Sequence, residues 1–464
     1  MIVPRTRLLF WVAVIAVPMS VLAVPPAETG LGIEGLPQAM DRFAQQGHLL
    51  AIGLIGGLVL LAVFDAALAF GSLNGVRAEL PEVARLTKDR EGTLPVHLFA
   101  APGKRRLLRL GLAFPPEITT PSETIETEIA GTTAAASVTW PCTATRRGRY
   151  ILDRVYLEGS SPLGFWAVRS SVPTQSEVRV YPNLMHERRN VAALFLNRGV
   201  FGIHQQRQVG QGREFEKLRE YVPGDSYDDV HWKATARRGH PITKTYQIER
   251  TQEVYVLIDT SRLSARKMSG GIGLPETTQL ERFLTSAMVL GLAAERQGDL
   301  YGLMTFDDRV GTFIRAKNGK AHYGVCRDAL YTLNASRVNP DFDEVFSFLR
   351  LRLRRRALVI FLTNLDDPVL AESFVKNVHL IGRHHLMLVG MPIPSGVKPL
   401  FQDDKADTVS DVYDRLAGHM RWQGLRELER VLQRQGVQFL LLDHARMAAQ
   451  LVTQYMNIKQ RQLL

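Results

Sequence analysis

VYVLIDTSRLS, Val254 to Ser264, decides the fold. Five apolar residues run without a polar break, then give way at once to Asp259, Thr260 and Ser261. Such a run is what a strand covered on both faces requires, because neither side of it meets water. Comparable runs recur at 300–306 (LYGLMTF), 357–363 (ALVIFLT), 385–391 (HLMLVGM) and 437–443 (VQFLLLD). Segments of helical period lie between them, including LERFLTSAMVLGLAAERQG, FDEVFSFLRLRLRRR and RLAGHMRWQGLRELERVLQRQG. Strands alternating with helices predict a mostly parallel, doubly wound α/β sheet over residues 251–464, with GTFIRA (311–316) as a short antiparallel edge strand.

Upstream the pattern changes. Residues 76–183 hold short alternating segments such as LPVHLF, SVTWPC, GRYILDRVYLEG and SEVRVYP, punctuated by Gly and Pro. They predict an all-β unit of about seven strands, most simply a sandwich, with SPLG as a breaker. Residues 184–250 read as a connector. Residues 1–75 contain two apolar runs, 8–24 (LLFWVAVIAVPMSVLAV) and 49–70, the second interrupted only by Asp65. About 20 apolar residues cross a bilayer, so the two runs predict a transmembrane hairpin.

Arg5 and Arg7 precede the first run, and Arg77, Arg85, Lys88 and Arg90 follow the second. The loop between them holds Glu28, Glu34 and Asp41 against Arg42. The positive-inside rule then places the N-terminus and everything after Phe70 in the cytoplasm, as a multi-pass protein of the inner membrane. A cleavable leader ending near Ala23 is the rival reading of the first run; the length of the run and Pro25-Pro26 argue against it. Asp65, near the end of its helix, reads as a carboxylate beside lipid headgroups.

The chain is 464 residues long, 45% hydrophobic and 22% charged, with a net charge of +11, which describes a multidomain globular protein rather than a disordered one. Two distant cysteines, Cys142 and Cys326, exclude a disulfide framework or a cysteine-rich zinc site. No nucleic-acid-binding motif accompanies the positive charge, and basic residues tethered at an anionic leaflet account for it. Phosphate-cradling loops and nucleophile elbows are absent. His231, close to Asp225, Asp228 and Asp229, could form an acid/base pair, but no nucleophile accompanies it, so the chain is read as a non-enzyme.

Ligands of open α/β sheets bind beyond the carboxyl ends of the strands. Asp259-Thr260-Ser261, Asp307-Asp308 and Thr363-Asn364-Leu365-Asp366 all fall there. Hard oxygens from separate loops suit magnesium. An apolar strand ending DTSRLS resembles the opening of a von Willebrand factor type A domain, whose metal site begins Asp-x-Ser-x-Ser. Asp259 and Ser261 match that pattern, but Leu263 occupies the third ligand position, and Asn364 stands where an Asp is usual, with acid returning only at Asp366. The resemblance therefore implies a degenerate site of Asp259, Ser261 and Asp366, with Mg either bound or dispensed with.

GREFEKLREYVPGDSYDDVHWKATARRGHPITKTYQIER, 212–250, narrows the reading further. Pro223-Gly224-Asp225 forms a turn, Trp232 is a candidate anchor on a core, and the charges suit a bonded network. The stretch resembles the signature of the domain of unknown function 58 family, membrane-anchored proteins with a β domain and a type A-like module. Glu214, Arg219, Tyr221, Pro223, Gly224, Asp225, Trp232 and Arg237 are its structural or partner-binding residues here. The resemblance implies a scaffold or adaptor for a MoxR-type AAA+ ATPase. A metal-dependent module gripping a partner's carboxylate is the alternative.

Overall fold

The computed structural model describes residues 1–17, 38–100, 106–129, 135–185, 187, 209–210, 214–223, 225–247, 252–268, 277–400 and 408–461. The chain folds as two units, Met1–Tyr181 and Pro182–Leu464.

In the first unit, strands form one sheet of six and another of four. Burial alternates along them, as it must when one face is covered and the other wet. In Glu91–Phe99, Leu94, Val96 and Leu98 point inward. They share one core with Trp140, Leu108, Leu110, Leu157, Val178 and Val180, residues contributed by both sheets. The N-terminus belongs to this unit, because Ile2–Pro4 pairs antiparallel with Trp166–Tyr181. Arg5 and Arg169 both bond the Glu158 carboxylate, at 3.2 and 2.8 Å. Partial burial alone would raise the Glu158 pKa, but the two guanidiniums outweigh it and hold the group below the usual carboxylate range.

Among the described residues one helix is long and apolar enough to cross a membrane, Leu49–Ala69 within Gln38–Ala69. Of the first expected span, 8–24, residues 8–17 are helical and 18–24 lie outside the described residues. Asp65 departs from the headgroup reading. It is fully buried, and its carboxylate accepts bonds from Ser161 Oγ (2.6 Å) and from the backbone N–H groups of Leu163 (2.9 Å) and Phe165 (3.1 Å). SPLG (161–164), read as a mere breaker, supplies two of these three donors, and Phe165 just after it supplies the third.

The second unit is built on a six-stranded sheet in the order Val310–Lys317, Leu300–Phe306, Glu253–Asp259, Ala357–Leu362, Leu386–Pro392, Val437–Leu442. All neighbours are parallel except the first pair, so 310–317 is the antiparallel edge. The central strand Glu253–Asp259 explains the unbroken apolar run. Val254, Val256 and Ile258 enter one core with helices Gln279–Arg296 and Met447–Gln460. Tyr255 and Leu257 enter the other, with Phe342–Arg352, Pro368–Asn377 and Val409–Arg434. A mixed α/β unit with both sheet faces covered results.

The region read as a connector is itself folded. Val209–Gly210, Glu214–Glu220 and Ile242–Gln247 make a three-stranded antiparallel sheet, and the helix Trp232–Arg238 lies between the last two strands in sequence. Gly239, at φ +74°, ends that helix in the left-handed conformation that favours glycine.

Candidate functional site

Asp259 ends the central strand opposite Phe306, where three loops converge. It is fully buried. One carboxylate oxygen accepts from the Ser261 N–H (2.8 Å) and the other from Thr363 Oγ (2.7 Å). Burial drives its pKa up; the Ser261 and Thr363 bonds oppose the rise without cancelling it. Ser261 caps the short turn Arg262–Ala265, its Oγ accepting from Leu263 N–H, and Leu263 is buried. The third ligand position therefore turns into the core and offers no oxygen.

Asp366 is engaged differently. Its Oδ2 pairs with Arg266 Nη1 at 2.7 Å, and its N–H donates to the Asn364 side chain at 2.9 Å. Thus Asp259 and Ser261 meet, joined by Thr363, whereas Asp366 already holds a guanidinium. Magnesium needs several oxygens in a near-octahedral shell. One buried carboxylate with both oxygens already bonded, a side-chain apolar third position and an arginine on the remaining acid do not fit it. Among the described residues no group of three or more His, Cys, Asp or Glu is placed to hold a metal. Arg266 was not singled out from the sequence; its position just after the DTSRLS turn was the available signal.

This geometry predicts a contrast between two substitutions. Asp259→Asn keeps an acceptor for Ser261 N–H, and Thr363 can rotate its hydroxyl to accept from the new amide. A buried carboxyl with a raised pKa favours folding below its unfolded pKa and loses that contribution as pH rises through the folded value. The advantage of Asp259→Asn over the parent should therefore grow from about pH 4 upward and then level off. Asp259→Ala leaves two donors unpaired and should cost about 1–3 kcal/mol. Thermal unfolding across pH, with and without Mg, checks both; Mg should shift neither midpoint.

The signature unit supplies the second cluster. Asp225 accepts from Arg219 Nη2 (2.6 Å) and from Val222 N–H (3.1 Å), closing the Pro223 turn; Gly224 lies outside the described residues. The Val222 N–H foremost, then the Arg219 guanidinium, hold the Asp225 carboxyl below its usual range. His231, the candidate acid/base, instead caps the helix Trp232–Arg238, its Nδ1 accepting from Ala234 N–H at 3.1 Å. Glu214 begins the strand Glu214–Glu220. Arg237 lies in the last turn of the helix, where a cation complements the dipole.

The signature unit bonds to itself: among the described residues, its hydrogen bonds run within 209–247, such as Tyr221 N–H to Pro241 O and His231 N–H to Ile242 O. Trp232 anchors no core, since it is 69% exposed at the first position of its helix. Tyr227, 74% exposed, stacks on Tyr221 with ring centroids 5.8 Å apart. A small unit with a bonded turn thus shows two large aromatic side chains to solvent.

Residues 217–392 match the model of the family described as protein of unknown function DUF58. An uncharacterized protein of Mycobacterium tuberculosis is 22% identical over 189 residues, 40% of this chain. The match spans 57% of that relative's length. Among solved structures, an aerotolerance-related membrane protein from Bacteroides fragilis is 12% identical, covering 44% of this chain and 98% of that one, with a TM-score of 0.29. The conserved hypothetical protein BatB from Bacteroides thetaiotaomicron is 13% identical over 45% of this chain and 99% of its own, with a TM-score of 0.28. Through residues 217–392 the chain is similar to the DUF58 family, whose description is that of proteins of unknown function.

Proposed function

We propose that the chain is a membrane-tethered scaffold or adaptor that binds protein partners and works with a MoxR-type AAA+ ATPase. The observation that carries this reading is the exposure of Trp232 and Tyr227 on the signature unit. Trp, Tyr and Arg are the side chains that dominate interface energetics, and two aromatics left in water on a bonded turn suit that use. The helix Leu49–Ala69, with most of its apolar surface uncovered, supports tethering to a bilayer.

The pairing of Ile2–Pro4 with Trp166–Tyr181 supports a hairpin, because it requires the residues before the first apolar run and those after the second to share a side. The basic flanks favour the cytoplasm as that side. The two-sheet β unit with one shared core fits a sandwich. The metal-dependent carboxylate reading is the alternative, and the bonds that already occupy both Asp259 oxygens count against it.

Affinity purification of the tagged full-length chain from native membranes, with magnesium and with EDTA, followed by mass spectrometry, tests the reading. An AAA+ ATPase is expected in both eluates, and Trp232→Ala should lower its yield at least about tenfold. Recovery only with magnesium, after controlling for the ATPase's own nucleotide, would favour the alternative. Absence of any ATPase under both conditions removes this reading.

A further inference from the structure

Beside the Asp259 cluster, beyond the carboxyl ends of the strands, an open cavity of about 290 Å³ is lined by Arg266, Lys267, Gln279, Asp366, Arg421 and His444. These residues come from separate parts of the second unit. Arg266 follows the turn after the central strand, and Asp366 lies in the loop after Ala357–Leu362. Gln279 is the first residue of helix Gln279–Arg296, Arg421 sits within Val409–Arg434, and His444 follows Val437–Leu442. Open α/β sheets take ligands at this edge.

The cavity has an excess of positive charge. Three cationic side chains line it against one carboxylate, and Arg266 already engages that carboxylate at 2.7 Å. Arg421 has no ion-pair partner among the described residues. The 18-residue helix beginning at Gln279 adds the positive end of its dipole.

The buried polar atoms at the wall are more specific. Gln279 is 2% exposed, yet its Nε2 donor has no hydrogen-bond partner. His444 Nδ1 and Asp366 Oδ1 are also buried without partners. Buried polar groups are nearly always satisfied, so three at one cavity point to a ligand that supplies what they lack. Gln279 and Arg421 need an acceptor, whereas Asp366 Oδ1 needs a donor. A bare phosphate would set between about one and two negative charges against Asp366, with only its own O–H to donate. An acidic residue within a peptide supplies both, with its carboxylate for the donors and its backbone N–H for Asp366. The volume suits one side chain, being at the lower limit of small-molecule pockets.

We propose that this cavity receives an acidic side chain of a partner protein without a metal, the arginines supplying the positive charge. The proposal rests on the protein-binding reading above for the source of the carboxylate. It does not rest on the partner being an ATPase.

The full-length chain in detergent micelles, with EDTA present, is titrated with acetyl-Gly-Glu-Gly-amide. Acetyl-Gly-Gln-Gly-amide and inorganic phosphate serve as comparisons, with binding followed by saturation-transfer NMR. The glutamate peptide is expected to bind with a Kd on the order of 1 mM and the glutamine peptide at least about tenfold more weakly. Arg421→Gln, an exposed substitution, should weaken the glutamate peptide about tenfold, and Gln279→Leu should do so as well. Equal binding of the two peptides, no loss in Arg421→Gln, or a need for magnesium would each overturn the proposal. Tighter binding of phosphate than of the glutamate peptide would overturn the choice of carboxylate. Peptide binding with no ATPase in the purification would sink the ATPase reading and leave the cavity's role intact; the converse result would sink the cavity's role alone.

Discussion

Asp65→Ala should destabilise the first unit by about 3–5 kcal/mol, one of the two largest losses expected from a single substitution in this chain. Asp65 lies within the apolar stretch Leu49–Ala69 but has no exposed surface. Three donors converge on it, the Ser161 hydroxyl and the N–H groups of Leu163 and Phe165. Ser161 Oγ is held in turn by accepting from Trp166 N–H at 3.0 Å, and the Trp166 indole donates to Ala62 O at 2.8 Å. The loop Ser161–Trp166 and one side of the helix are thereby bonded at four points around one carboxylate. Alanine removes the acceptor and strands the donors in a site closed to water, and stranded donors are what make such losses large. Asparagine retains one oxygen but turns an NH2 group toward donors, so Asp65→Asn should lose a smaller share.

The measurement is thermal unfolding of the detergent-solubilised chain by tryptophan fluorescence. At this domain size the loss corresponds to a midpoint lower by roughly 10 °C. A carboxylate merely resting among headgroups would give almost no change on substitution by alanine. A midpoint within about 1 °C of the parent would therefore restore that reading.

Asp65 also marks where sequence reasoning stops. The central strand was legible because both its faces are covered, so Val254 to Ile258 carry the signal without reference to any other segment. The antiparallel edge, expected at 311–316 and found at 310–317, was legible from its own short alternating run, although most of it is only half-buried or exposed. Asp65 and Ser161, in contrast, stand 96 residues apart, and nothing near either announces the other. Ile2–Pro4 is too short to show alternation, and its neighbour Arg5 was read only as a topogenic charge although it bonds Glu158. Trp232 misled because a large apolar ring in a bonded turn is usually buried, whereas here the helix N-terminus leaves it in water. At the sheet edge, Asp259 and Ser261 were found by their spacing. The use made of Asp366 depended on Arg266, a residue of unremarkable context exactly 100 positions earlier.

The opposite end of the same sheet carries the other large effect. Asp299 precedes the strand Leu300–Phe306, so it lies at the amino edge, away from Asp259. It is 1% exposed. Its Oδ1 accepts from Gln252 N–H at 3.2 Å, and its Oδ2 accepts from Tyr455 O–H and from Lys459 Nζ, the latter at 2.8 Å. Lys459 also donates to Gln297 O at 3.1 Å. Both partners belong to the C-terminal helix Met447–Gln460, whose Leu451, Val452, Tyr455 and Ile458 enter one core of the sheet. Burial, reinforced by the Asp299 charge, pushes the Tyr455 pKa far up, so its hydroxyl remains a donor.

Asp299→Ala removes the acceptor common to all three donors and leaves Lys459 charged beside an apolar core. The expected loss is about 3–5 kcal/mol. Asp299→Leu combined with Lys459→Met should recover part of it, since replacing both members of a buried pair by apolar groups costs less than orphaning one. A double-mutant cycle on unfolding midpoints reads the coupling directly, and values below about 0.5 kcal/mol would mean that the helix is held by its apolar face alone. Because ligands of this sheet belong at its carboxyl edge, Asp299→Ala should leave the affinity of the folded fraction for the glutamate peptide unchanged while Arg421→Gln does the reverse. A substitution at Asp299 that weakened peptide binding as much as one at Arg421 would contradict that separation of a stabilising edge from a binding edge.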